Sequence, residues 1–136
     1  MNSRVVVVAV IEKDGKILLG RKPKDKGPYP NTWHLLGGGV HLDEETLEDA
    51  VKREVKEETG LTIASLQRTQ FDEDYEPNKH GELTHYVWFV FRVTPTSLEA
   101  TASDDLEKLK WFSKKDLRKI ELNRPTIKLF KEIGLL

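Results

Sequence analysis

Glu54, Glu57 and Glu58 lie in the run "KREVKEETG" (residues 52–60) at the i, i+3, i+4 spacing that gathers side chains on one flank of a helix. At roughly 100° per residue, Leu47, Ala50, Val51 and Val55 converge on an apolar sector. Glu54 and Glu58 project into that sector, Glu57 borders it, and Lys52 and Lys56 face away. A helix built only for solubility would put apolar residues at 54 and 58. Half-buried carboxylates repel each other and resist desolvation, so such a cluster calls for a cation. Magnesium, with manganese as a substitute, is the natural choice, because hard divalent ions prefer oxygen ligands. Glu45, just before the helix, can reach the same place. Arg53 lies on the flank of Glu57, four residues earlier, and can orient that carboxylate. Gly37, Gly38 and Gly39 permit a tight turn with exposed amides, which a phosphate chain can approach.

The elements that must position these groups follow from pattern. Thr46 is the expected N-cap of the acidic helix, with Asp49 as its capping-box partner and Gly60 as its stop, which gives a helix over about 46–59. Residues 4–11 read as a buried strand, joined through Asp14-Gly15 to a second strand over 17–21. "KPKDKGPYPN" (22–31) is a loop, "TWHLL" (32–36) a short strand, and "GGG" its end. A strand over 61–71 leads to a polar loop at 72–82, and "THYVWFVFRV" (84–93) is the strongest strand signal in the chain. "KLKWFS" (108–113) is a further short strand. Ser113 with Asp116 is expected to box a helix over 114–121, and Asn123 to cap a final helix over 124–133, with Pro125 in its first turn and Gly134 past its end. Strands, a helix, then more strands and helices imply a mixed β-sheet flanked by helices, an α/β sandwich forming one domain over 1–136.

The bulk numbers exclude several functions. With 136 residues, 38% hydrophobic, 33% charged and a net charge of −1, the chain lacks the basic excess of a nucleic-acid or membrane-surface binder. No cysteine means no disulfide, thiolate nucleophile or cysteine zinc site. "VVVVAVI" (5–11) is too short to span a bilayer and has no cleavage site after it, so a soluble, cytoplasmic protein is expected.

"GVHLDEETLEDAVKREVKEETGL" (39–61) matches, without a gap, the pattern G-x5-E-x7-R-E-U-x-E-E-x-G-U, in which U is a bulky aliphatic residue. The matching positions are Gly39, Glu45, Arg53, Glu54, Val55, Glu57, Glu58, Gly60 and Leu61. The chain thereby resembles the Nudix hydrolases. The two N-terminal strands, the tryptophan before the glycines, "THYVWFVF" and "KLKWFS" extend the resemblance along the chain. Two departures lie outside the strict signature. "LLGGG" lacks the proline common before the glycines, and Leu42 stands where a glutamate is common.

The resemblance implies an α/β/α sandwich and a magnesium-dependent hydrolase that cleaves the diphosphate linkage of a nucleoside diphosphate joined to another group. It assigns Glu45, Glu54, Glu57 and Glu58 to metal, together with Gly39. Glu54 is either a third ligand or the general base, alongside Arg53, Glu57 and Glu58 as catalytic residues. Gly38, Gly39, Arg21 and Trp33 are expected to bind substrate. Asp105, six residues before Trp111, is an expected additional metal acid, and Glu76, Glu82, Asp104 and Glu107 are alternative positions for the base. The short chain resembles members that cleave nucleoside triphosphates. Pro77, sixteen residues beyond Leu61, is the one feature pointing to ADP-ribose or a sugar nucleotide instead. The alternative of another class is a nucleotide-binding sensor that no longer cleaves. The partner is then a small nucleotide, with no nucleic-acid polymer or membrane, and a homodimer is an expectation from the family.

Other features have bland readings. "DEDYEPNKHGEL" (72–83) alternates acids, but Pro77 and Leu83 occupy the glycine and glutamate positions of a calcium loop. "KPKDK" (22–26) can meet phosphates as point charges or simply be solvated. The four histidines lack close metal spacing. Of the loop-bordering aromatics, Tyr29, Trp33 and Tyr75 are the candidates to stack on a base.

Overall fold

In the computed structural model, which describes residues 1–103 and 105–136, the valine run forms β1 (Asn2–Lys13) at the centre of the sheet. Asp14 and Gly15, at φ 53° and 76°, make the left-handed pair that a two-residue hairpin needs and lead into β2 (Lys16–Arg21). There follow β3 (Trp33–His34), β4 (Leu36–Gly39), α1 (Leu47–Thr59), β5 (Ile63–Pro77), β6 (Leu83–Pro95), β7 (Lys108–Ser113) and α2 (Arg124–Glu132).

β1 pairs in parallel with β6 from Asn2↔Thr84 to Ile11↔Val93. On its other side it pairs antiparallel with β4, and at its end with β2. β5 lies antiparallel outside β6, while β3 and β7 pair with β2. The sheet is therefore mixed. A strand covered on both faces must be apolar at every position, and β1 is so from Val5 to Ile11, with its polar residues at the two ends. Val7, Ala9 and Ile11 share one core with Ala50, Val51 and Val55 of α1. Val10 joins a second core with Val90, Leu129 and Phe130, the last two from α2. The expected α/β/α sandwich is observed, with each large buried side chain contributing about 1.5–3 kcal/mol.

Caps behave as the sequence requires. Thr46 accepts from the Asp49 amide at 3.1 Å, and Gly60 ends α1 in the left-handed conformation, its amide bonded to the Lys56 carbonyl. Asn123 accepts from the Thr126 amide at the start of α2.

Three elements differ from expectation. The glycines do not end a strand; they form one, because β4 must lie against β1 with almost no side-chain volume between it and its neighbours. A Cβ on Gly37 (φ 154°) would stand 2.1 Å from the Val7 carbonyl oxygen. Gly37→Ala is accordingly expected to destabilise the fold by roughly 3 kcal/mol or more, read by urea denaturation. Second, residues 72–77 are strand, not loop. Asp72, Asp74 and Glu76 alternate because they share one sheet face. There Lys128 meets Asp72 and Asp74, both at 3.3 Å, and Arg124 meets Asp74 at 2.8 Å. Phe71 and Tyr75 point the other way and are exposed. Third, residues Lys114–Lys119 form a 3-10 helix in which Ser113 makes no side-chain cap bond.

Candidate active site

α1 carries the acidic cluster, and its buried edge fixes how each acid points. Ala50, Val51, Val55 and Thr59 are buried against the sheet. Glu54 and Glu58 stand beside that edge, the Glu54 side chain only 14% exposed, while Glu57 is 59% exposed. The inward turn of 54 and 58 and the outward set of Lys52 and Lys56 match the helical-wheel reading.

Arg53 sits in the middle of the cluster. Its guanidinium donates to Glu45 through two nitrogens, at 2.7 and 3.0 Å, and to Glu54 at 2.9 Å. It also donates to the Gly39 carbonyl at 3.0 Å and to Glu57 at 3.3 Å. The expected Arg53–Glu57 contact is thus the longest of the set, and the fork on Glu45 is the main one. Spacing along a single helix could not disclose it, because Glu45 lies before the helix and folds back through the His41 amide, which donates to it at 3.0 Å. The Arg53 bond, with the His41 amide second, holds the Glu45 carboxyl down at about 2.

Glu58 is the contrasting member. It accepts from the Gly37 amide at 3.0 Å and, among the described residues, forms no ion pair. Burial, then the nearby Glu54 charge, push its carboxyl up to about 8. Gly38 keeps the neighbouring space clear, since a Cβ there would lie 2.5 Å from the Glu54 carboxyl carbon. No three of the described acids and histidines converge on a single point as they stand. Even so, a buried carboxyl without a counter-charge, a second carboxylate beside it and space left by a missing side chain fit a hard divalent cation, which would displace the proton.

Glu58, Gly37 and Gly38 line a cleft of about 300 Å³, together with Lys22, Lys26 and His34. Trp88, Tyr86, Tyr29 and Glu76 also line it. The two lysines come from the loop that the sequence left between phosphate contact and plain solvation. Burial lowers the His34 imidazole below its ordinary range, and its Nδ1 is bonded to the Leu35 carbonyl at 2.9 Å.

The other sequence candidates divide. Gly38 and Glu58 share the cleft wall, whereas Gly39 does not line it and its carbonyl accepts from Arg53. Arg21 and Trp33 do not line the cleft. Arg21 bonds Glu107 at 3.1 Å and lies 5.3 Å from the centre of the Trp33 ring, which packs edge-on against Phe112 at 4.9 Å. Asp105 is exposed, with Lys26 at 3.8 Å as its charged neighbour, and it contacts none of the α1 glutamates among the described residues. Glu82 accepts from Asn78 in the β5–β6 turn. Asp104 lies outside the described residues. Among the described residues, Glu76 is the one alternative acid that lines the cleft.

This fold, with its glutamate helix set beside a glycine strand, defines a Nudix domain. The NUDIX domain family model matches residues 1–132, so the chain belongs to the Nudix family, and it is a nucleotide pyrophosphohydrolase. Over its whole length it is 30% identical to a nucleoside triphosphatase NudI of Escherichia fergusonii and 28% identical to that of an Enterobacter species, each covered in full. A MutT NUDIX hydrolase from Burkholderia pseudomallei superposes with a TM-score of 0.80 at 30% identity, over 96% of this chain and 98% of the other. The Nudix domain of Shewanella oneidensis NrtR, at 18% identity and a TM-score of 0.79, shares the fold. Nudix hydrolases in general need a divalent metal ion. No helix among the described residues is long and apolar enough to cross a membrane.

Proposed function

We propose that the chain is a magnesium-dependent hydrolase of nucleoside triphosphates, releasing a nucleoside monophosphate and pyrophosphate. The observation that carries this reading is the make-up of one cleft. The Glu58 carboxyl, bare glycine backbone and two lysines line it together with the rings of Tyr29, Tyr86 and Trp88. A polyphosphate suits the charged groups and the glycine backbone, and a nucleoside suits the rings. The full-length relatives named as nucleoside triphosphatases support the same substrate class.

Each residue then has a task. Glu57, Glu58, Glu54 and Glu45, with the Gly39 carbonyl, are the oxygen donors that would hold the ion. When bound, magnesium neutralises phosphate charge and makes a water acidic enough to attack. Glu54, where it does not itself hold the ion, would serve as the general base for an attacking water. Arg53 fixes Glu45 and Glu54 in place, and the Gly37 amide fixes Glu58. Lys22 and Lys26 neutralise the terminal phosphates of the substrate.

A release assay tests this over nucleoside triphosphates, ADP-ribose, sugar nucleotides and dinucleoside polyphosphates. Triphosphates are expected to turn over fastest. EDTA is expected to abolish hydrolysis, and added magnesium or manganese to restore it. Activity that survives the chelator would refute the reading, and so would binding of metal and nucleotide without release.

A further inference from the structure

Three aromatics border the loops, and the fold separates them. Trp33 is committed to Phe112 and Arg21. Tyr75 stacks on His85 with centroids 4.8 Å apart, on the exposed sheet face. Tyr29 alone of the three lines the cleft.

Tyr29 is also the one that is tied down. Its hydroxyl donates to Glu76, whose side chain is 5% exposed, and Glu76 is ion-paired with Arg124. Arg124 in turn holds Asp74 at 2.8 Å, so the contact is anchored in both β5 and the start of α2. The Tyr29 carbonyl accepts from the Thr32 hydroxyl at 2.7 Å, and Pro28 and Pro30 flank the residue and restrict its backbone. Burial and the Glu76 charge raise the Tyr29 phenol, which keeps its proton and stays a donor. A carboxylate buried against one loop tyrosine makes little sense as packing, because it costs desolvation that an apolar contact would avoid, and its counter-charge, Arg124, is itself half-exposed.

We propose that Tyr29 positions the nucleobase of the substrate: its ring stacks on the base, and Glu76 with Arg124 fixes the ring by the hydroxyl. The proposal rests on the cleft being the nucleotide site. It adds a recognition element to the chain that lies outside the acidic signature and is carried by the loop before β3. Phosphate grip and base grip then sit on one loop, with Lys22 and Lys26 on its earlier part and Tyr29 on its later part.

The test compares wild type with Tyr29→Phe, which keeps the ring and loses the tether, and Tyr29→Ala, which loses both. From the usual strength of base–aromatic stacking, Y29A is expected to raise KM for the preferred triphosphate by about tenfold or more. Y29F is expected to raise it by a smaller factor, and kcat should stay within about threefold in both. Inorganic tripolyphosphate, which has no base, is expected to inhibit all three proteins equally. KM within twofold of wild type in Y29A overturns the proposal. So does a fall in kcat with KM unchanged, or an equal weakening of tripolyphosphate. Calorimetric binding of a triphosphate analogue methylene-bridged at both anhydride positions separates this idea from the proposed activity. A wild type that binds the analogue but releases no product refutes the activity, while the ratio of Kd between Y29A and wild type still decides the role of Tyr29. A wild type that neither binds nor cleaves refutes both. Near-wild-type circular dichroism and melting of Y29A is the fold control, and Y29F decides the matter by the same KM and tripolyphosphate criteria if Y29A fails it.

Discussion

Glu58→Gln is expected to cut turnover on the order of a thousandfold while making the metal-free protein more stable. Both effects have one cause. The Glu58 carboxyl, ordinarily near 4.5, is held up at about 8 by burial and then by Glu54. A group raised in the folded state binds its proton more tightly there than in the unfolded chain. Stability therefore falls as pH rises above the unfolded value, and the loss levels off once pH passes the folded value. In excess EDTA the wild type should be most stable near pH 5 and lose on the order of 4 kcal/mol by pH 9 from this group. The glutamine variant should lack that slope, since its side-chain oxygen still accepts from the Gly37 amide. Urea titrations at pH 5, 7 and 9, with and without chelator, check it. A variant no more stable than wild type at pH 9 would mean that the carboxyl titrates normally.

Arg53→Gln is expected to lower kcat by about a hundredfold, and Arg53→Lys to recover little of it. The guanidinium makes five hydrogen bonds in one plane's reach, to Glu45 twice, Glu54, Glu57 and the Gly39 carbonyl. A lysine ammonium has a single nitrogen and cannot span a fork on Glu45 and a contact with Glu54 together. Removing the charge also leaves three carboxylates to repel one another, so they swing outward and lose their shared geometry. Steady-state kinetics across a magnesium titration are the readout. An Arg53→Lys variant that restores full turnover would show that charge alone suffices there.

The acidic helix, its caps and the two-sided burial of β1 were legible because each depends on local spacing. A 3.6-residue period, a threonine before it and a glycine after it fix α1 without help from the rest of the chain. What was not legible depends on partners distant in sequence. Alternating acids at 72, 74 and 76 look like loop residues until Lys128 and Arg124 are seen beneath them. A glycine triplet reads as a break until β1 is laid against it. Arg21 and Trp33 sat near the site in sequence, yet β2 and β3 turn them toward each other and away from the cleft. Asp105 was placed by its distance from Trp111, which says nothing about direction, and it faces solvent.

The parallel pairing of β1 with β6 has a consequence for how the chain is made. Synthesis runs from the N-terminus, so "VVVVAVI" leaves the ribosome long before Thr84–Val93, its partner along one edge, exists. β2 waits longer still, for Lys108–Ser113. Contacts so remote close slowly, and a bare valine-rich segment is prone to self-association in the meantime. The nascent chain thus presents its valine run well ahead of the strand that pairs with it, and Val10 stays uncovered until Leu129 and Phe130 of α2 have emerged as well.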